Sequence, residues 1–242
     1  MASGDLEARI GLATETGLRE ENEDFAATYL GTAAERAARG AVMVVADGVG
    51  GAPGGREAAE TAVRGFIDGY YAQPEGLSVE DAATRTAQAI NGWIHAIGRR
   101  DPGLRGMATT LSALILRGRE AHVAHVGDSR IYRLRGDELL RLTVDHNPPE
   151  PELSHILVRG IGIDETVEVD LGAHELEVGD RFLLVTDGVH GVLADSRIQD
   201  ILAGEPDPEA AARRVVAAAL KADSLDNVTA LVADVTALPG GG

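Results

Sequence analysis

The sequence predicts an α+β protein, a four-layer α-β-β-α sandwich in which two antiparallel sheets are packed together and helix pairs cover their outer faces. Short apolar, β-prone runs occur in groups that tight reversals join. Helical segments are inserted two at a time and do not follow each strand singly. A doubly wound parallel sheet would need one helix per strand, so this grouping favours antiparallel sheets between pairs of helices.

Strands are predicted where apolar residues alternate or run continuously between turn signals. The predicted strands are 8–14, 25–30, 41–46, 110–116, 121–126, 130–134, 166–173, 181–185 and 228–235. Glycine-containing reversals at 117–120 and 135–138 are typical of the links between antiparallel strands.

Helical periodicity predicts one pair of helices at 57–71 and 80–99 and a second pair at 196–202 and 208–222. Ser78 and Asp81 have the spacing of a capping box at the start of the second helix. Asp207 is suited to cap the last helix, because Pro208 after it fits the first helical position.

Composition excludes several functions. The 242-residue chain has a formal charge of −17 and no cysteine. An acidic surface repels nucleic acid and anionic membranes, so we expect neither as a partner. Without cysteine there are no disulfides, thiolate zinc sites or cysteine nucleophiles. The N-terminus lacks a signal-peptide pattern and no apolar run reaches membrane-spanning length, which predicts a cytoplasmic protein.

No linker, repeat or low-complexity run divides the chain. Residues 1–238 are therefore predicted to form a single domain. Residues 239–242 are predicted to be a flexible tail, or the start of a linker to a further domain.

Acidic turns beside the predicted strands indicate a metal site. They are Glu23-Asp24, Asp47-Gly48, Asp187-Gly188 and Asp226-Asn227. Carboxylates next to glycines, which let backbone approach a ligand, suit hard cations such as Mg²⁺ or Mn²⁺. Like charges held this close repel one another unless a cation lies between them. The sequence therefore predicts that two or more divalent ions bind where these turns meet.

A series of short motifs resembles one known family. In order they are Arg19 to Asp24, Ala46-Asp47-Gly48-Val49-Gly50-Gly51, Gly106-Met107-Ala108-Thr109-Thr110, Val126-Gly127-Asp128-Ser129-Arg130, Asp145-His146-Asn147, Thr186-Asp187-Gly188-Val189 and Asp226-Asn227-Val228-Thr229. This order, over residues 11–235, resembles the bacterial type 2C metal-dependent Ser/Thr protein phosphatases. The resemblance implies the same sandwich fold and hydrolysis of phosphoserine and phosphothreonine by metal-activated water, without a phosphoenzyme.

The resemblance also implies a role for individual residues. Asp47 would bridge two metals, with the Gly48 carbonyl on one of them. Asp187 and Asp226 would bind the other. Glu23 and Asp24 would hold the site directly or through water. Asp128 would contribute to a third, weaker site, which gives two or three Mn²⁺ or Mg²⁺ per chain. Arg19 would bind the substrate phosphate, for which bidentate arginine contacts are well suited.

Some of these residues have another interpretation. Asp-Gly is a common turn dipeptide, and Asp128 could simply lie in a hairpin turn. Arg19 could form a surface ion pair with Glu20 or Glu23. We expect His146 to order its own loop through hydrogen bonds and not to bind metal.

The chain departs from the family pattern in two places. Many members carry a histidine after the bridging aspartate, considered a proton donor to the leaving group, whereas Val49 and Ala52 occupy the corresponding positions here. The segment after Asp145-His146 is short and contains Pro148, Pro149 and Pro151, so we expect an open cleft without a long helical flap. This short form resembles the phosphatase part of bacterial phosphatase–kinase fusions.

We therefore expect a monomer that acts on phosphoproteins, including a Ser/Thr kinase or its targets. Two other functions remain open from the sequence. The chain could be a weakly active or inactive module that binds phosphoproteins, or a phosphatase of regulatory partner proteins. A measurement of turnover distinguishes the binding module from an enzyme. Substrate profiling distinguishes a phosphatase of regulatory partner proteins from one that acts on a kinase or its targets.

Overall fold

The computed structural model describes residues 5–49, 54–148 and 157–240, and its strands form two five-stranded antiparallel sheets. The first sheet has the order β1-β10-β9-β6-β7 and the second β2-β3-β4-β5-β8. The strands are β1 (Glu7–Glu15), β2 (Asp24–Tyr29), β3 (Ala41–Asp47), β4 (Leu111–Arg117), β5 (Glu120–Val126), β6 (Arg130–Arg135), β7 (Glu138–Arg141), β8 (Asp170–Glu175), β9 (Arg181–Val185) and β10 (Val228–Ala237).

The helices are α1 (Ala33–Arg39), α2 (Gly55–Tyr71), α3 (Val79–Arg100), α4 (Asp187–His190), α5 (Asp195–Gly204) and α6 (Pro208–Lys221). Two predicted caps are present. The Ser78 hydroxyl accepts a hydrogen bond from the Asp81 amide at 3.0 Å, and Asp207 caps α6 through the Ala210 amide at 3.0 Å. Among the described residues, no helix combines the length and the apolar character that crossing a bilayer requires.

Three apolar clusters separate the four layers. Along β3, Val42 and Val44 pack against α2 and α3, whereas Met43 and Val45 point to the opposite face and pack against the other sheet. Side chains alternate in the same way on β9 and β10, whose outer faces pack against α5 and α6. Strands with both faces covered need apolar residues at every position. The continuous apolar runs of the sequence are thereby explained, and the α-β-β-α prediction is confirmed.

Four elements differ from the prediction, among them the short helix α4, which was not predicted. The predicted strand 166–173 pairs only from Asp170, because Val167 and Val169 pack into the core without a ladder partner. Strand β7 and helix α1 were not predicted. Helix α1 begins with a capping box in which Thr32 and Glu35 exchange hydrogen bonds, a signal that the sequence contains.

The pairing brings several strand ends to one edge of the molecule. Asp24 at the start of β2 lies opposite Asp47 at the end of β3. In the other sheet, the end of β9 at Val185 pairs with the starts of both β6 and β10. The turns that follow or precede these ends carry the acidic residues singled out in the sequence.

Candidate active site

A cleft of about 280 Å³ opens at this edge. It is lined by Arg19, Glu23, Asp47, Gly48, Val49, Thr110, Asp128, Leu157, Asp187 and Asp226. The structure therefore brings together every residue predicted for the site except Asp24, which lies beneath the cleft with an exposed fraction of 6%. No histidine is among the described residues that line it.

The main chain of Asp47 is held by Thr109 and Thr110, the two residues before β4. Its amide donates to the Thr110 hydroxyl at 2.9 Å, and its carbonyl accepts from the Thr110 amide at 2.9 Å and from the Thr109 hydroxyl at 2.8 Å. Gly48 follows with no room for a side chain, because a Cβ would lie 2.3 Å from the carbonyl oxygen of Gly55. The close approach of this backbone explains why glycine follows the aspartate.

Asp24 and Asp187 are linked through Thr186. The Thr186 hydroxyl donates to Oδ2 of Asp24 at 2.8 Å, and Asp187 is the next residue, at the start of α4. Within the described chain, Oδ1 of Asp24 and Oδ1 of Asp187 are buried and have no hydrogen-bond partner. Buried polar atoms without a partner are rare and costly, so these two oxygens are suited to an electropositive ligand.

Asn227 ties the loop that carries Arg19 to the start of β10. Its side-chain amide donates to the carbonyls of Thr16 at 2.8 Å and Glu21 at 2.9 Å, and its Oδ1 accepts from the Glu23 amide at 2.8 Å. Every polar atom of this side chain is therefore used to hold the loop. Arg19 is consequently placed at the mouth of the cleft, beside Asp226.

Arg19 forms an ion pair with Asp226, with Nη2 2.6 Å from Oδ2. The alternative pairing with Glu20 or Glu23 is not found among the described ion pairs. The hydrogen bond and charge of Asp226 raise the pKa of Arg19 above its ordinary value. Arg19 thus remains a fixed cation, and nearly half of its side chain stays exposed to solvent.

Burial and mutual repulsion disturb the carboxylates. Burial, followed by the charge of Asp24, raises the pKa of Asp47 well above its usual range. Burial raises the pKa of Asp24 to about 7 and that of Asp187 to about 6, with nearby carboxylates adding to both. Burial also raises the pKa of Asp128 and of Glu23. Perturbed acids gathered in one cleft are typical of a functional site.

These residues fit a divalent cation. All the donors are oxygens, which Mg²⁺ and Mn²⁺ prefer, and a cation would relieve the repulsion and partner the two buried oxygens. In the described ranges, no three His, Asp or Glu side chains already form a group that could hold an ion. The carboxylates share a cleft but are spread within it, and Asp226 is turned towards Arg19. Cation binding therefore requires these side chains to reorient.

The sequence matches the family described as Protein phosphatase 2C over residues 20–226. The chain belongs to the protein phosphatase 2C family. It is 32% identical to the protein phosphatase PhpP of Streptococcus pneumoniae, over 91% of this chain and 94% of that one. It is 33% identical to the serine/threonine protein phosphatase PstP of Mycobacterium tuberculosis, over 97% of this chain and 46% of that protein.

Solved structures of the family agree. The PstP catalytic domain, solved in complex with two manganese ions, has a TM-score of 0.82 and 31% identity, covering 96% of this chain and 100% of that one. This member of the protein phosphatase 2C family is a metal-dependent serine/threonine protein phosphatase, and its substrates are phosphoproteins.

Sequence reasoning missed some residues that position the site of this phosphatase. Thr186 and the side chain of Asn227 belong to motifs whose acidic residues alone were assigned roles. Thr110 lies in a motif that the resemblance included without a role. Val49 lines the cleft, whereas Ala52, Pro149 and Pro151 lie outside the described residues.

Proposed function

We propose that the cleft is the catalytic centre and that Asp47, Gly48, Asp187, Asp226 and Glu23 hold two Mn²⁺ or Mg²⁺ ions. Asp128 would help to hold a third ion. Asp24, buried opposite Asp47, would help to hold Asp47 in position. The observation that carries this assignment is the convergence of these carboxylates on one cleft whose only cationic side chain, among its described lining residues, is Arg19.

Divalent cations at such a site supply an activated water and neutralise charge on the transferring phosphoryl group. The residues of the chain do the rest. The main chain of Asp47 is held by Thr110, the residue before β4, which fixes the point from which the carboxylate extends. Gly48 lines the cleft, and its lack of a Cβ lets the main chain of Gly55 approach it closely. The main chain at Asp47 and Gly48 is held in place by these contacts, so the rearrangement on cation binding is confined to the side chains.

Arg19 would orient the phosphate of the substrate. Its guanidinium donates a hydrogen bond to Asp226, and nearly half of the side chain is exposed to solvent at the cleft. If Asp226 held a cation, the guanidinium of Arg19 would be free to make two charge-assisted hydrogen bonds to phosphoryl oxygens. The same aspartate thereby links cation binding to phosphate binding.

The leaving-group oxygen must gain a proton, and no histidine from the described residues lines the cleft. His190 lies nearby, but its Nε2 is bonded to the backbone carbonyl of Asp128 at 2.9 Å. We propose that water protonates the leaving group. General acid catalysis contributes about 10²- to 10⁴-fold, so esters with good leaving groups should lose least.

The physiological setting is part of the proposal. We propose that the substrates include a Ser/Thr kinase or the targets of one, that the protein is monomeric and cytoplasmic, and that it binds neither nucleic acid nor membranes. The formal charge of −17 supports the last point. Residues 1–238 would form one phosphatase domain, with 239–242 as a tail.

The test is hydrolysis of p-nitrophenyl phosphate and of a phosphothreonine peptide, with Mn²⁺, with Mg²⁺ and with EDTA. We expect cation-dependent turnover of both, lost in Asp47→Asn. Asp195→Asn is the control, because Asp195 is an exposed carboxylate on α5 that accepts from the Tyr132 hydroxyl at 3.0 Å, away from the cleft. Unchanged turnover in Asp47→Asn would refute the assignment. Peptide binding without turnover in the wild type would favour the inactive regulatory module.

A further inference from the structure

The backbone just before Asp128 is held by a single histidine. The amide of Gly127 donates to Nδ1 of His146 at 2.9 Å, and its carbonyl accepts from the His146 amide at 2.9 Å. Gly127 has a φ of +113°, and a Cβ there would lie 2.6 Å from the Thr110 side chain. Both hydrogen-bonding groups of this glycine are thus committed to one residue, which leaves its conformation little freedom.

Asp128 itself is held from two further sides. The side-chain amide of Asn147 donates to Oδ2 at 3.0 Å, and His190 bonds its carbonyl at 2.9 Å. Asn147 directly follows His146, so one short segment sets both the backbone before Asp128 and the direction of its carboxylate. We name residues 145–147 the DHN segment.

The ring of His146 is oriented by an ion pair on its far side. Because Nδ1 accepts from Gly127, the ring proton of the neutral imidazole is on Nε2, which donates to Oδ2 of Asp170 at 3.0 Å. Nη1 of Arg159 bonds the other oxygen of Asp170 at 2.6 Å and also lies 3.1 Å from Nε2 of His146. The ring is only 7% exposed and lies 4.9 Å from that of His125. This arrangement fixes both the tautomer and the orientation of His146.

We propose that His146 is a positioning residue for the cation that Asp128 helps to hold. This inference rests on the role of Asp128 under Proposed function. The DHN segment acts on the ligand from outside the coordination sphere, as the partners of metal ligands commonly do. Loss of such a partner typically lowers metal affinity about 10- to 100-fold.

A purely structural histidine would behave differently, because its removal would affect stability and all cation sites together. His122 provides a matched control. It is also 7% exposed, lies on β5 of the same sheet that carries Asp170, and bonds Glu80 at 2.9 Å, but it does not contact Asp128.

The experiment is titration of the full-length protein with Mn²⁺ by isothermal calorimetry in the absence of substrate. Asp128→Asn should weaken the binding of one Mn²⁺ ion. We expect His146→Leu to lower the affinity for the same ion about 10- to 100-fold and to leave the affinity of the other sites unchanged. His146→Asn should restore most of the affinity, since its Oδ1 takes the place of Nδ1 and accepts from Gly127. His122→Leu should bind Mn²⁺ like the wild type.

The outcomes distinguish a failure of the role proposed for His146 from a failure of the role proposed for Asp128. If Asp128→Asn binds Mn²⁺ like the wild type, the role proposed for Asp128 fails. If Asp128→Asn weakens one site and His146→Leu weakens none, the positioning role of His146 is overturned. Equal weakening at all sites in His146→Leu and His122→Leu also overturns it. If His146→Leu does not fold, Asp170→Asn replaces it, because this variant changes the carboxylate that bonds Nε2 of His146. Asp170→Asn must then weaken Mn²⁺ binding at the site that Asp128→Asn weakens, and at no other.

Discussion

Asp24 should destabilise the metal-free protein, and Asp24→Asn should therefore make it more stable. The carboxyl is almost fully buried, and only one of its oxygens, Oδ2, is bonded, to Thr186. Burial and the nearby charges of Asp187 and Asp226 raise its pKa from the ordinary 3.8 to about 7. A carboxyl with a raised pKa in the folded state binds its proton more tightly when folded, so stability is lost as pH rises from about 4 to 7.

The pKa values give the size of the effect. The difference between 3.8 and about 7 is about three pH units. At about 1.4 kcal/mol per unit, the raised pKa lowers the unfolding free energy, relative to strongly acidic solution, by up to about 4 kcal/mol above pH 7. The loss is about 2 kcal/mol at pH 5, where the folded state keeps a proton that the unfolded state has released. The amide introduced by Asp24→Asn carries no charge, and its oxygen can still accept from Thr186.

The assay is urea unfolding in EDTA at pH 5 and pH 8. Asp24→Asn should exceed the wild type in unfolding free energy at both pH values, by more at pH 8. Adding Mn²⁺ should stabilise the wild type, by about 2.7 kcal/mol at one hundred times the dissociation constant, and the variant less. Asp180→Asn is the matched control. Asp180 is also buried but is paired with Arg135 at 2.6 Å, so its loss should destabilise at both pH values.

One result would refute this reasoning. If Asp24→Asn in EDTA is no more stable than the wild type at pH 8, or if its gain is the same at both pH values, burial does not strain the charged form of Asp24. The cleft would then not depend on a cation to relieve repulsion at this residue.

Three further substitutions test other parts of the site. Arg19→Ala should lower kcat/KM for the phosphothreonine peptide about 10- to 100-fold, because charge-assisted hydrogen bonds to phosphate contribute that much. Arg9→Ala is the control: it removes an exposed ion pair with Asp207 and should leave kcat/KM unchanged. Val49→His should raise turnover of the peptide more than that of p-nitrophenyl phosphate; equal effects on both substrates would argue against a missing proton donor. Gly188→Ala should lower the unfolding free energy, measured by thermal unfolding, by about 3 kcal/mol or more, because a Cβ would lie 1.9 Å from the Asn227 carbonyl oxygen. Gly92→Ala is the control: its Cβ would meet open space within α3, so this variant should be as stable as the wild type or more stable.

Much of the fold could be predicted because most strands are covered on both faces. The continuous apolar runs of β3, β9 and β10 need no tertiary information to be recognised, and their ends locate Asp47, Asp187 and Asp226. Segment 166–169 was assigned wrongly for the same reason. Val167 and Val169 have the alternation of a strand because they reach the core, but no neighbouring strand pairs with them.

The supporting residues of the site could not be predicted, because their partners are distant in sequence. Asn227 bonds the carbonyl of Thr16, 211 positions away, and Thr186 bonds Asp24, 162 positions away. No local periodicity reports such contacts. The Arg19–Asp226 pair was missed for the same reason, since both residues were expected to serve other ligands.

The hold of Asn227 on the loop around Arg19 has a consequence for the protein during its synthesis. The residues that would bind phosphate are made well before Asn227 and strand β10, which pairs with β1 along its length. A nascent chain therefore carries Arg19 and Glu23 on an untethered loop until Asn227 has emerged from the ribosome. Ribosome-bound chains that stop before residue 227 should be inactive towards phosphoproteins, so phosphatase activity begins only after β10 has been made.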